Sequence, residues 1–331
     1  MSKINSPADF IEAVNAFRLS RVILTAYELD IFTVLGKGSM SSSDISGKIE
    51  TDARATDRLM NVLAGSGLLE KKSGKFNNTP FAEKFLVKGS PSYMGGTGHI
   101  SHLWHSWSTM TEAVKKGTSV MMRSEINERG EDWLEPFIAA MHQRGKQQAK
   151  VIADALDLSG VKKILDVGGG SGAFSFAMVD KNPEINSIVY DLPNVIPITK
   201  KYIQSEGYDK RVSTLTGNYL EDPLGSGYDM AFLSAVIHSN SADENKLLFR
   251  KCAKSLNPGG QLVVLDHIMN EDRTEPIGGA MFSLNMLVGT KAGDTFTGSE
   301  IKSWMVDAEF ENISFKDTGI GTNLLIGYLK K

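Results

Sequence analysis

Lys163-Ile164-Leu165-Asp166-Val167-Gly168-Gly169-Gly170-Ser171-Gly172-Ala173-Phe174 decides how the rest of the chain is read. It is a short apolar strand, a glycine turn, and the opening of a helix that continues through Ser175-Phe176-Ala177-Met178-Val179. Glycine is required where a backbone must take positive φ or come close to a ligand. The helix directs its free N–H groups and the positive end of its dipole back at the turn. The stretch is therefore a site for the polar tail of a nucleotide-like cofactor.

Outward from this turn the sequence alternates strand and helix. The apolar runs Ile164–Val167, Ile188–Tyr190, Val212–Leu215, Met230–Val236 and Leu262–Leu265 suit strands buried on both faces. Helical segments fall between them near 172–182, 194–206 and 242–256. Such alternation predicts an α/β, doubly wound, parallel sheet. Ile313–Asp317 and Leu324–Lys330 flank the short turn Thr318-Gly319-Ile320-Gly321-Thr322, a hairpin that makes the last strand antiparallel. The expected sheet is seven-stranded and mostly parallel.

The first hundred residues read differently. Apolar residues at helical spacing (Phe10, Ile11, Val14, Phe17, then Ile23, Ala26, Leu29 and Ile31) follow a Ser6-Pro7 start signal. Short helices are expected from Ser41 and from Asp52, then a hairpin turning at Ser73-Gly74. Helices followed by a hairpin predict a winged helix. Its second helix sets Arg54 and Arg58 against Asp52 and Asp57, a balance that disfavours DNA and leaves a dimerisation role. The linker-like run Gly89-Ser90-Pro91-Ser92-Tyr93-Met94-Gly95-Gly96-Thr97-Gly98 divides the chain into 1–98, a winged-helix-like dimerisation domain, and 99–331, the cofactor-binding domain. Helices within 99–160, near 99–115, 131–143 and 144–157, connect the two and line a pocket. They carry His99, His102, His105 and His142, but no interleaved carboxylate favours a metal, and interhelical polar contacts or pocket lining are expected of these histidines.

Composition narrows the function further. The 331 residues carry a net charge of −3, with 41% hydrophobic and 23% charged residues. That balance suits a soluble protein and not a polyanion binder. The single cysteine, Cys252, excludes an internal disulfide. No apolar run approaches the ~18 residues of a membrane span, and the N-terminus lacks a signal peptide's apolar core. A cytoplasmic protein with no nucleic-acid or membrane partner is expected.

The glycine turn also fits G-x-G-x-x-A (Gly168, Gly170, Ala173), with Asp191 about 20 residues on to take two ribose hydroxyls. This alone suits NAD as well as S-adenosylmethionine. Asp166, just before the glycines, would meet an ammonium group, directly or through water, and would be a poor neighbour for a pyrophosphate. The terminal hairpin is unusual for a dinucleotide domain. Both favour S-adenosylmethionine.

Region 161–331 resembles the class I S-adenosylmethionine-dependent methyltransferases, and the whole chain resembles the plant caffeate / hydroxyindole O-methyltransferase family and its bacterial relatives. The likeness rests on Asp166-Val167-Gly168-Gly169-Gly170-Ser171-Gly172, Tyr190-Asp191-Leu192-Pro193, Ser234-Ala235-Val236-Ile237-His238, Asn257-Pro258-Gly259-Gly260 with Val263-Val264-Leu265-Asp266, and Ala26-Tyr27-Glu28-Leu29-Asp30-Ile31-Phe32. It implies a Rossmann-like methyltransferase sheet and a homodimer formed through the N-terminal domain. Gly168, Gly170 and Gly172 would pass the methionine moiety, Asp191 with Leu192 the ribose, Asn218 and Tyr219 the adenine, and Ser234 the cofactor's carboxyl end. His238 would be the catalytic base, with Asp266 on its other ring nitrogen. Trp104, Trp107, Met141, Phe282, Asn285, Met286 and Thr290 would close the acceptor pocket, Asn285 and Thr290 orienting a hydroxyl. No metal is implied.

Asn218 stands where the family usually has an Asp and Ser234 where it often has a Lys, and two positions around the base also depart from the family pattern. Ser239 follows His238 where an acid is usual, and Ala292-Gly293-Asp294-Thr295-Phe296-Thr297 puts Thr295 at the place of a second flanking acid. The expected activity is methyl transfer from S-adenosylmethionine to a hydroxyl of a small aromatic or polycyclic metabolite, as in secondary metabolism. The alternatives are C-methylation of a pigment- or quinone-like ring, a winged-helix regulator that only senses S-adenosylmethionine, and a dehydrogenase.

Overall fold

The computed structural model describes residues 3–121 and 131–331 and, for 131–133, the backbone alone. The chain divides into two compact units, Met1–His105 and Ser106–Lys331, which part within the helix Thr97–Trp107.

In the first unit, helix Pro7–Asn15 starts where the Ser6 side chain accepts from the Asp9 N–H, with proline in the first turn. Helices Phe17–Glu28 and Ile31–Leu35 follow. Ser41 and Asp44 form a reciprocal capping box for Ser42–Lys48, and Asp52 caps Ala53–Gly65. Strands β1 (Met40–Ser41), β2 (Leu69–Lys72) and β3 (Lys75–Asn78) make a small antiparallel sheet in the order β1-β3-β2. Its hairpin turns at Ser73-Gly74, both at positive φ (49° and 77°), the conformation that matches strand twist in a two-residue turn. Ala26, Ile31, Phe32, Leu35, Ile45, Met60, Leu63, Leu69 and Phe76 form the core.

The second unit is built on β4 (Lys163–Val167), β5 (Asn186–Asp191), β6 (Val212–Thr216), β7 (Tyr228–Ser234) and β8 (Leu256–Asp266). The short β9 (Ile268–Met269) and β10 (Phe296–Thr297) pair in parallel, and β11 (Phe310–Asp317) and β12 (Asn323–Leu329) close the chain. Among the described residues the large sheet is seven-stranded, ordered β11-β12-β8-β7-β4-β5-β6. Strands β4 to β8 are parallel, whereas β12 runs antiparallel to both β8 and β11. Crossover helices Ala173–Lys181, Ile196–Glu206 and Ala242–Ser255 cover it. Met230, Ala231, Phe232 and Leu233 are all 0% exposed, as a strand covered on both faces requires. Each large apolar side chain sealed there contributes about 1.5–3 kcal/mol.

Chain order reverses between β4 and β7, so the carboxyl ends of β4 and its neighbours flank the switch point where open α/β sheets bind ligands. Three boundaries differ from the sequence expectation. Glu131–Ala155 is one helix, not two. Gly145, which resembles a break, is instead a close approach: a Cβ there would lie 3.0 Å from the Ala173 Cβ, at the start of the helix after the glycine turn. Asn257-Pro258-Gly259-Gly260 is drawn into β8 as an irregularity, the register jumping from Tyr228↔Leu256 to Met230↔Gln261. Strand β7 stops at Ser234 although the apolar run continues, because Ala235 takes φ 56° and turns the chain.

Candidate active site

Beyond Ala235 the chain forms a single 3-10 turn, Ile237–Ser239, that carries His238 above the end of β7. Asp266 ends the neighbouring β8. The His238 Nδ1 lies 2.8 Å from Asp266 Oδ1 and 3.0 Å from Oδ2, and the His238 backbone N–H donates to Oδ2 at 3.4 Å. The His267 N–H also donates to Asp266 Oδ1, at 2.8 Å. Burial would raise the Asp266 pKa, but the charge and hydrogen bond of His238 and the His267 amide outweigh it, holding the carboxyl below its ordinary value. An ionised Asp266 fixes a proton on Nδ1, which leaves Nε2 with a lone pair. Nε2 makes no hydrogen bond to the described residues. Phe282 stands edge-on to the His238 ring at 4.8 Å, with the His267 ring on it at 4.4 Å.

In the glycine turn, Gly168, Gly170 and Gly172 all have positive φ, but for different neighbours. A Cβ at Gly168 would lie 2.8 Å from Val236 Cγ2, and one at Gly172 would lie 3.2–3.3 Å from Phe176 and Val189. Protein already fills those two positions. At Gly170 the nearest atom would be Ile138 Cδ1 at 3.8 Å, so that part of the turn can lie against a ligand. The Gly170 N–H donates to Asp191 Oδ2 at 2.8 Å and the Leu192 N–H to Oδ1 at 2.8 Å. Burial raises the Asp191 pKa in spite of these two amides. Asp166 is 1% exposed; its Oδ2 accepts from the Ser175 hydroxyl at 2.6 Å. Its Oδ1 is buried with no hydrogen-bond partner, and burial pushes the carboxyl up to about 7. An acidic group with an unmet acceptor under a glycine turn, and a second carboxylate at the end of β5, are the acceptors an ammonium and a ribose diol require. The residues present thus fit S-adenosylmethionine.

Asn218 Oδ1 accepts from the Leu220 N–H at 3.1 Å, which leaves a second lone pair, and the Tyr219 hydroxyl donates to Asn240 Oδ1 at 3.0 Å. Ser234 is half-buried at the end of β7, in register with Leu265. Among the acceptor-pocket residues, Trp107 donates its indole N–H to Asn285 Oδ1 at 3.0 Å, leaving the Asn285 amide donors to offer. Phe282, Asn285 and Met286 share the helix Ile277–Gly289, with Met286 buried. Met141 is half-buried on Glu131–Ala155. Trp104 belongs to the first unit, where the Arg21 guanidinium lies 5.3 Å from its ring.

Thr290 does not fit the expectation of a substrate-orienting hydroxyl. It is 4% exposed, donates to the Met286 carbonyl at 2.7 Å and accepts from the Gly293 N–H at 2.8 Å. Both functions of the hydroxyl are spent on ending the helix. Thr295, at the place of the second acid, is 2% exposed and directs its hydroxyl to the Gly279 carbonyl at 3.4 Å.

His267 escaped sequence reasoning; it follows Asp266 directly, and an Asp-His pair at a strand end is the available signal. His142, expected in an interhelical polar contact or pocket lining, meets the Ser171 hydroxyl of the glycine turn through Nδ1 at 2.9 Å and stacks on Tyr202 at 4.1 Å. Nothing in the local sequence links those residues. Among the described residues no group of three or more His, Cys, Asp or Glu side chains is placed to hold a metal ion, and no helix is long and apolar enough to cross a membrane.

Comparison with known proteins adds independent findings. Residues 107–311 match the family model for an O-methyltransferase domain, and residues 11–88 that for an O-methyltransferase dimerisation domain. The chain is 29% identical to the 3-hydroxy-5-methyl-1-naphthoate 3-O-methyltransferase of Streptomyces sahachiroi, over 91% of this chain and 89% of that one. It is 28% identical to the acetylserotonin O-methyltransferase of Bos taurus, over 93% of each. The crystal structure of human N-acetylserotonin methyltransferase in complex with SAM has the same fold, with a TM-score of 0.83, 23% identity and 100% of both chains covered.

Proposed function

The chain belongs to the O-methyltransferase family and is an S-adenosylmethionine-dependent methyltransferase, and from that premise we propose that it methylates a hydroxyl of a small aromatic or polycyclic metabolite with His238 as general base. The observation that carries this reading is the His238–Asp266 pair: one ring nitrogen held at 2.8 Å by a buried carboxylate, the other without a hydrogen bond to the described residues. The Streptomyces sahachiroi and Bos taurus relatives, a naphthoate and an acetylserotonin O-methyltransferase, support an aromatic acceptor.

When bound, S-adenosylmethionine supplies an electrophilic methyl group on a sulfonium. Gly170, Asp166, Asp191, Leu192, Asn218, Tyr219 and Ser234 would hold it. A phenol near pKa 10 is a weak nucleophile at neutral pH, and an imidazole with a reference pKa near 6.5 can take its proton as the oxygen reacts. Asp266 would keep the His238 proton on Nδ1, present Nε2 to the acceptor, and stabilise the imidazolium that forms. Phe282 and Met141 offer apolar and polarizable surface to a flat ring, with Met286 buried on the Phe282 helix, and the Asn285 amide can meet an acceptor's polar edge. With Thr295 turned toward the Gly279 carbonyl, the His238–Asp266 pair works without a second carboxylate.

The first unit supports assembly with a second copy of the chain. Helix Pro7–Asn15 has no buried residue, and Phe10, Ile11, Val14 and Phe17 are 52–56% exposed at helical spacing. An apolar stripe of this kind marks an interface.

Incubation of the protein with methyl-labelled S-adenosylmethionine and a panel of phenols, followed by carbon NMR of the product, tests the reading. A transferred carbon in the methoxy region is the expected result. A carbon-bound methyl would replace O-methylation by C-methylation, and cofactor binding without any transfer would favour a sensor.

A further inference from the structure

A hydrogen-bonded chain, buried in its two amide links and half-buried at Tyr219, connects the loop after β6 to the turn that carries His238. The Tyr219 hydroxyl donates to Asn240 Oδ1 at 3.0 Å, Asn240 Nδ2 donates to Asn245 Oδ1 at 3.0 Å, and Asn245 Nδ2 donates to the Ile237 carbonyl at 2.9 Å. Asn240 is 3% exposed and Asn245 0%. The direction of the chain is fixed from its far end. A backbone carbonyl only accepts, so Asn245 must present its NH₂ to Ile237 and its oxygen to Asn240. Asn240 must then offer its own oxygen to the Tyr219 hydroxyl. Every donor points from the loop toward the turn, an arrangement in which each bond polarises the next.

The turn needs such support. Ile237–Ser239 is a single 3-10 turn, and it leaves β7 through Ala235 at φ 56°, a backbone state that a residue with a Cβ holds only when its surroundings impose it. Asp266 grips the turn from one side through the His238 ring and N–H, and Asn245 grips it from the other through the Ile237 carbonyl. Lys251, on the helix Ala242–Ser255 that also carries Asn245, donates to the Tyr219 carbonyl and ties the loop to the same support. Two primary amides sealed from water are costly unless fully paired, and apolar side chains would fill the same space without that cost.

We propose that Tyr219, Asn240 and Asn245 are positioning residues that couple occupation of the cofactor-side loop to the alignment of His238. The proposal rests on the reading of His238 as the base and of the loop at Asn218–Tyr219 as the adenine side. Cofactor bound against the loop sets the Tyr219 ring. The hydroxyl sets the two amides, and these hold the Ile237 carbonyl, one residue from the base.

The test uses the full-length protein and the variants Tyr219→Phe, Asn240→Leu, the double variant and His238→Ala. Tyr219→Phe removes the hydroxyl that donates to the buried Asn240 amide and should lower kcat about 5- to 10-fold. The acceptor KM should stay within about twofold, and the losses in the double variant should not multiply. Should Asn240→Leu fail to fold, the nitrogen NMR signals of the His238 ring decide. On titration with S-adenosylhomocysteine they should shift in the native protein and stay fixed in Tyr219→Phe. A Tyr219→Phe enzyme with native kcat and only a raised cofactor KM would make Tyr219 a simple adenine neighbour and overturn the coupling. Full turnover in His238→Ala would instead remove the base on which the proposal rests.

Discussion

Asp166 and Asp266 are both sealed beneath the site, yet their surroundings drive them in opposite directions. For Asp166, burial dominates, the Ser175 hydroxyl resists and the Asp191 charge adds, so the carboxyl is raised to about 7. Between about pH 4 and pH 7 the native state keeps a proton that the unfolded chain has released, so this group's contribution to stability falls as pH rises through that window. Asp166→Asn should therefore gain on the native protein in urea midpoint between pH 4.5 and pH 7; an equal difference at both pH values would refute the assignment. Asp266 is depressed by His238, so its contribution is present above about pH 4 and is lost as pH falls below it. Asp266→Asn would remove the group that fixes the His238 tautomer and should lower kcat about a hundredfold or more at unchanged cofactor affinity. Thr290→Val separates two roles for a hydroxyl already committed to Met286 and Gly293. It should lower the melting temperature and leave the acceptor KM unchanged, and a raised KM with native stability would return Thr290 to the pocket.

At the scale of the element, the glycine turn is a single turn whose glycines serve two ends. Gly168→Ala combines φ 68° with a Cβ 2.8 Å from Val236, and should cost about 2–5 kcal/mol of stability by chemical denaturation. Gly170→Ala carries only the conformational cost of φ 56°, about 1–2 kcal/mol, since its Cβ would make no clash, and its larger effect should be weakened cofactor binding by calorimetry. Equal losses of stability in the two variants would contradict this division. Local chemistry made several elements legible. Ser73-Gly74 names its turn, the apolar runs of β4, β5 and β7 name buried strands, and the glycine-rich run at Gly319 and Gly321 names the final hairpin. Boundaries set by distant neighbours were not legible. Gly145 looks like a helix break because Ala173, the residue it makes room for, is 28 positions away. Ala235 interrupts an apolar run with no local sign that the chain turns there.

At the scale of the whole molecule, the sequence placed His238 and Asp266 on adjacent strand ends because both follow apolar runs in an alternating α/β pattern. It gave no access to side chains that meet across long separations. Trp107 meets Asn285 from 178 residues away, His142 meets Ser171 from 29, and Tyr219 meets Asn240 from 21. Nothing in amino-acid spacing encodes such pairs. The exposed Phe10, Val14 and Phe17 make a further expectation at this scale. The native protein should sediment as a dimer, and a Phe10→Asp/Phe17→Asp variant should shift toward monomer; a monomeric native protein would remove the interface assigned to this stripe.

The proposed chemistry turns on one imidazole. His238→Ala, compared with the native enzyme for S-adenosylhomocysteine affinity by calorimetry and for kcat with its acceptor, should retain the affinity within about twofold. It should lose about 10²- to 10⁴-fold in turnover, the range of a general base. Turnover close to native in this variant would mean that alignment alone drives the transfer and would contradict the role given to His238.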